Sequence, residues 1–168
     1  MKVFLGPGAS GGVASLEAYL VGLAERGVRA QAVELPTGRA ERAVAALLRQ
    51  SGTGRDVIVG GRSFGGRVAS LAAAEPDNEF GGLLLFAYPL HRPGSPEQLR
   101  TEHWPRIRCP VLIVQGESDP FGSPDEVERE MRKLRNARLV RLPGTGHGLK
   151  ERLPEALTAA ADWIASLG

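Results

Sequence analysis

The sequence predicts an α/β fold: one three-layer domain over residues 1–168, with about six mostly parallel strands flanked by helices. Three observations lead there. Short apolar runs alternate with stretches of helical spacing along the whole chain. Three of those runs, VIV (57–59), LLLF (83–86) and VLIV (111–114), are continuous, as in strands covered on both faces of a parallel sheet. A chain with 42% hydrophobic and 24% charged residues also carries enough apolar material for a proper core, which argues against disorder.

The elements follow in order. KVFL (2–5) reads as a strand and runs into GPGASG; helical spacing then covers 13–26 and stops at Gly27. AQAVEL (30–35) and DVIVGG (56–61) are the next strands, separated by a helix at 39–50. A third helix, 64–75, ends where Glu75 meets Pro76, because a residue before proline is disfavoured in helical geometry. GLLLFAY (82–88) and PVLIVQG (110–116) are strands, and the stretch between them, 91–108, breaks the alternation. Its prolines, Gly-Ser pair and mixed charge predict an irregular loop with at most a short helical turn, a candidate pocket wall. The fourth helix, 125–135, opens with acids and closes with bases, so the basic cluster from Arg129 to Arg138 reads as helix electrostatics. ARLVRL (137–142) is the sixth strand, and the helix at 154–167 carries Trp163 and Leu167 as core residues.

Charge and cysteine usage narrow the function classes. The 21 basic and 19 acidic residues are mixed along the chain and leave a formal charge of +2, with no basic stripe for nucleic acid. A single cysteine, Cys109, allows neither an intramolecular disulfide nor a cysteine zinc site. It precedes a strand, at the amino edge of the sheet, and is expected to be a buried structural thiol. No apolar run reaches the ~18 residues of a membrane span, and MKVFLGPG turns too early for a signal-peptide core. The expectation is a cytoplasmic protein with no nucleic-acid or membrane partner, a small-molecule substrate and an open oligomeric state.

The chemistry concentrates in DVIVGGRSFGGRVAS (56–70). A strand runs into Gly61-Arg62-Ser63-Phe64-Gly65 and a helix leaves at once, the setting of a nucleophile elbow. The turn lifts the serine hydroxyl above the carboxyl edge of the sheet, where the Phe64 amide can donate to an oxyanion. A serine hydroxyl needs a base held by a third group. PVLIVQG leads to Asp119 and ARLVRL leads to His147, so acid and base follow the nucleophile at successive strand ends. Ser63, Asp119 and His147 are therefore the candidate catalytic residues. Taken singly, Ser63 would serve as a helix cap, Asp119 as a turn residue and His147 as a loop residue. Glu117 and Asp125 are alternative acids, and His91 and His103 alternative bases.

The first loop, Gly6-Pro7-Gly8-Ala9-Ser10-Gly11, matches the G-x-G-x-x-G of dinucleotide sites, with Glu34 at about the expected distance. Pro7 removes a backbone donor there, and nothing else suggests hydride transfer. A second oxyanion donor suits the loop better, from the amide of Ala9 or of Ser10. Arg62 and Arg67 flank the nucleophile and either attract an acidic substrate or pair with local carboxylates. Phe64, Tyr88, Trp104 and Phe121 are pocket lining or core.

The motifs GGRSFGGRVAS (60–70), YPLHRPGSPEQLRTEHWPRIRCPVLIVQGESDPFG (88–122) and GTGHG (144–148) carry a family likeness. The chain resembles the α/β-hydrolase superfamily, and within it small, lidless dienelactone-hydrolase-like proteins. That hydrolase-like group also includes a domain in a subunit of a chromatin acetyltransferase complex. The resemblance implies an α/β-hydrolase core without the two leading strands and assigns the family triad to Ser63, Asp119 and His147. Pro7-Gly8 stands where such proteins often carry a His-Gly pair. The elbow holds serine where dienelactone hydrolases use cysteine, so their substrate is not carried over. The expected function is a serine hydrolase cleaving carboxylic esters or thioesters of small acyl groups, with no cofactor and no metal. A non-catalytic interaction module and a dinucleotide-dependent oxidoreductase built on GPGASG are the alternatives.

Overall fold

The computed structural model describes residues 1–168. Six strands form one parallel sheet: β1 (Lys2–Gly6), β2 (Ala30–Ala32), β3 (Gly54–Arg62), β4 (Phe80–Phe86), β5 (Val111–Gly116) and β6 (Ala137–Leu142), in the order β2-β1-β3-β4-β5-β6. The helices are α1 (Glu17–Ala24), α2 (Ala40–Ser51), α3 (Phe64–Ala74), α4 (Pro124–Glu130) and α5 (Leu153–Leu167). Within these residues no lid domain is inserted.

The continuous apolar strands divide by parity between two cores. Val57, Val59, Leu83, Leu85 and Ile113 face one core with residues of α2, α3 and α4. Ile58, Leu84, Phe86, Leu112 and Val114 face the other, with residues of α1 and α5. Helices on both faces of a parallel sheet leave no strand face for water, which is why these strands lack polar alternation. Trp163 is buried in the second core and Leu167 packs against it.

Some boundaries differ from the sequence reading. The run at 30–35 is in ladder register with β1 only through Ala30–Ala32; the Val33 amide still donates to the Leu5 carbonyl at 2.9 Å, and the strand ends there at the sheet edge. The helix expected at 13–26 opens as a 3-10 turn, Val13–Leu16, and that at 125–135 closes as one, Met131–Lys133. At the start of α4, Ser123 and Glu126 form a reciprocal capping box. The irregular segment before β5 holds a single 3-10 turn, Trp104–Arg106.

Strand order reverses between β1 and β3, since β1 leads outward to β2 while β3 leads the other way to β4, β5 and β6. In open α/β sheets the crevice at the carboxyl ends beside such a switch point is where ligands bind. The next residue after β3 is Ser63.

Candidate active site

Ser63 is held in a backbone conformation that side chains seldom adopt, with φ 50° and ψ −115°. Its amide donates to the Phe86 carbonyl at 2.9 Å, and α3 begins at the next residue. The sharp exit depends on close backbone packing. A Cβ at Gly65 would stand 2.1 Å from the Gly6 carbonyl oxygen, and one at Gly61 would stand 2.4 Å from the same atom. Ser63 makes no side-chain cap bond to α3. Its Oγ lies instead 2.9 Å from Nε2 of His147.

The imidazole is fixed from its other side. His147 Nδ1 lies 2.8 Å from Oδ2 of Asp119, whose side chain is fully buried. A carboxylate only accepts, so Nδ1 carries the proton and Nε2 is left to accept from the Ser63 hydroxyl. Asp119 is aimed by its own loop, because the Phe121 amide donates to Oδ1 at 2.8 Å. The Phe121 ring stacks on the imidazole with centroids 4.2 Å apart and planes inclined by 27°. Phe121 therefore lines the site.

One residue of this arrangement escaped the sequence reading. Gln115, fully buried near the end of β5, donates through Nε2 to Asp119 Oδ2 at 3.3 Å, Tyr88 O at 3.0 Å and Gly122 O at 2.8 Å. Its Oε1 accepts from the Tyr88 amide at 3.0 Å. It ties the loops after β4 and β5 together beneath the acid. The available signal was a lone amide at the end of the apolar run VLIVQG, where a buried polar group must have partners.

The alternative acids and bases are engaged elsewhere. Glu117 is exposed, and Asp125 pairs with Arg141 at 2.7 Å. His91 lies 3.0 Å from Glu126 through Nε2, and its Nδ1 is 2.8 Å from the Arg92 carbonyl oxygen. His103 lies 2.8 Å from Ser70 Oγ, and burial, with Arg106 and Arg67 nearby, pushes its pKa down to about 4. Both histidines pin the loop after β4 to the body of the protein. Thr101 joins them, donating to the buried Glu130. Tyr88 and Trp104 are fully buried core residues packed edge to face.

A cleft of about 430 Å³ opens over Ser63 and His147. Gly8, Ala9 and Ser10 of the loop after β1 form one side, with Phe64 and Phe121 beside the nucleophile. No group in the chain accepts the Ala9 amide, and the Phe64 amide is the first of α3, a position without an intrahelical acceptor. After the GPGASG loop comes a 3-10 turn, Val13–Leu16, and α1 begins only at Glu17, so the α-helix does not start directly on the loop as it does in a dinucleotide site. A larger hollow, about 690 Å³, lies at the opposite edge around Cys109. Its cations are already engaged, Arg55 with Glu79 and Arg108 with the carbonyls of Pro76 and Asn78. Cys109 is only partly buried, a correction to the expected buried thiol, because its strand has not yet begun there. Burial still pushes the thiol up to about 11, which leaves it a poor nucleophile.

The sequence pattern of the alpha/beta hydrolase domain family matches residues 19–167. The chain belongs to the alpha/beta hydrolase family. The chain is 28% identical over 140 residues to the putative protein-lysine deacylase ABHD14B of Rattus norvegicus, covering 74% of the chain and 63% of the relative. A 49-residue stretch is 41% identical to polyketide synthase ThaQ of Burkholderia thailandensis, covering 29% of the chain and 2% of the synthase. The chain thus spans less than two thirds of either relative. Among solved structures, the fold matches a monoacylglycerol lipase of Paleococcus ferrophilus with a TM-score of 0.82 at 15% identity, over 99% of this chain and 95% of the lipase. It matches a thermophilic esterase of Thermogutta terrifontis with a TM-score of 0.77 at 18% identity, over 99% and 90%.

Proposed function

We propose that this alpha/beta hydrolase is a serine hydrolase that cleaves carboxylic esters or thioesters of small acyl groups through Ser63, His147 and Asp119. The observation that carries the reading is the unbroken chain of contacts from a strained elbow serine, 2.9 Å to Nε2 and 2.8 Å from Nδ1 to a buried carboxylate. Nε2 of His147 takes the hydroxyl proton as Oγ bonds to the carbonyl carbon. The amides of Ala9 and Phe64 hold the oxygen that becomes negative, each such donor being worth roughly 3 kcal/mol. The C–O or C–S bond then breaks, and the imidazolium returns its proton to the leaving alcohol or thiol. Water repeats the sequence at the acyl-enzyme, so one ester and one water give one acid and one alcohol. The name of the rat relative extends the class to acyl-lysine amides, whose carbonyl the same nucleophile would attack.

The test is labelling with a fluorophosphonate, which needs an activated serine and no knowledge of the substrate. Stoichiometric modification located on Ser63 by mass spectrometry, and absent from folded Ser63→Ala, is expected. A folded wild-type protein that does not label would remove the hydrolase reading.

A further inference from the structure

Four arginines line the cleft beside Ser63, and no carboxylate lines it with them: Arg62, Arg67, Arg92 and Arg100. The chain as a whole is nearly neutral, at +2, so this concentration is local. Some arginines elsewhere are paired, as Arg141 is with Asp125 and Glu128, and others stand singly on the surface; the cleft differs in gathering four in one place. In the cleft only Arg67 has a carboxylate, Glu41 at 3.6 Å, whose side chain is mostly exposed and its pull screened by water. Arg62 and Arg92 have no ion-pair partner. Arg100 makes one long bond, 3.4 Å to the Pro89 carbonyl.

The group is also partly desolvated. The Arg67 side chain is largely buried, and its Nε is without a hydrogen-bond partner. The pKa of Arg100 is lowered, first by burial and then by repulsion from Arg67 and Arg92. Guanidinium forks match the planar and tetrahedral oxygens of acids, and an anion would satisfy donors and relieve the mutual repulsion together.

Resting on the hydrolase reading above, we infer that the ester this cleft takes carries a second, ionised acid group, carboxylate or phosphate, held by Arg67, Arg92 and Arg100 while Ser63 attacks the carbonyl. That group undergoes no bond change. It is a handle that orients the ester, and it sets the substrate class apart from neutral esters.

The experiment compares kcat/KM for charged and neutral esters of matched length. With the charge on the acyl half, the probes are 4-nitrophenyl hemiglutarate, 4-nitrophenyl 4-phosphonobutanoate and neutral 4-nitrophenyl valerate. With the charge on the alcohol half, they are 4-acetoxybutanoate, 4-acetoxybutyl phosphate and neutral pentyl acetate. One charged ester is expected to exceed its neutral partner by about tenfold to a hundredfold, the range of a hydrogen bond to a charged group. Whether the carboxylate or the phosphorus acid shows the larger ratio identifies the group. The ratio should fall toward one in Arg67→Gln and Arg100→Gln, and in Arg92→Gln, where an exposed side chain makes misfolding a poor explanation. It should shrink at high salt. In parallel, glutarate and inorganic phosphate are titrated calorimetrically into Ser63→Ala with and without Arg100→Gln.

The two readings fail differently. Cleavage of charged and neutral esters at equal rates in both sets overturns the anion handle and leaves the hydrolase. Arginine-dependent anion binding without cleavage or Ser63 labelling keeps the anion site but overturns the hydrolase and, with it, the ester. Neither binding nor cleavage overturns both.

Discussion

Hydrogen-bond geometry at single residues explains how the groups of the candidate site are oriented. Ser63, His147 and Asp119 each make the contact that orients the next, and Asp119 is oriented by the Phe121 amide and by Gln115. Gln115 satisfies two backbone groups of Tyr88 and one of Gly122 as well as the acid. Gln115→Leu keeps the volume and removes every one of those partners. Leaving several buried backbone groups unpaired should cost roughly 3 kcal/mol or more in urea unfolding. Fluorophosphonate labelling should also slow, as Asp119 loses a support. A variant as stable as wild type would show that water replaces the amide. The residue types were legible in the sequence, but the role of Gln115 was not, because its partners come from two separate loops.

At the scale of elements, the junction between β3 and α3 decides where the nucleophile stands. The helix starts so close to β1 that a methyl at Gly65 would sit 2.1 Å from a backbone oxygen of Gly6, where no side chain can swing away. Gly65→Ala should therefore destabilise by about 3 kcal/mol, the upper end of overpacking costs, and should displace Ser63 as the strand and helix part. Denaturant unfolding together with labelling checks both effects; an unchanged midpoint would mean that the elbow relaxes without strain. The segment after β4 presents the opposite case. Its prolines and mixed charge marked it as irregular, yet His91, Thr101 and His103 pin it to Glu126, Glu130 and Ser70. Residues that sequence alone offered as alternative bases are braces, since only the folded chain brings their partners within reach.

Across the whole molecule, the sheet gathers the loops after β1, β3, β4, β5 and β6 at one edge, and the candidate chemistry lies there. The stability of this assembly should depend on pH through His103. Its pKa in the folded protein is about 4, below the ordinary 6.5, because burial and neighbouring arginines oppose its charge. Above about pH 6.5 it is neutral whether the chain is folded or not, and it contributes no pH dependence. Between 6.5 and 4 the unfolded chain takes up a proton that the folded one refuses, so stability falls as pH falls. The loss from this group is on the order of 3 kcal/mol by pH 4. Carboxylates whose pKa is lowered in the fold, among them Glu126 and Glu130, add a loss of the same sign at lower pH. His103→Gln separates the two: urea midpoints at pH 7 and 4.5 should differ less in the variant than in wild type. An identical difference would assign the whole effect to the carboxylates.

The sequence by itself determined the α/β order of elements, the elbow around Ser63 and the positions of Asp119 and His147 after successive strands. These are local properties: hydrophobic period, glycine placement and distance from a strand end are all written within a few residues. It also carried Arg62 and Arg67 beside the nucleophile, with their partners undecided. Tertiary structure alone brought Arg92 and Arg100 from the loop after β4 into the same cleft and left most of that charge unpaired. It likewise drew β2 down to three residues, set Gln115 beneath Asp119 and turned His91 and His103 into braces. Each of these outcomes depends on groups far apart in the chain meeting in a desolvated place. Their energies come from burial and pairing, which arise only once the sheet has closed its two cores.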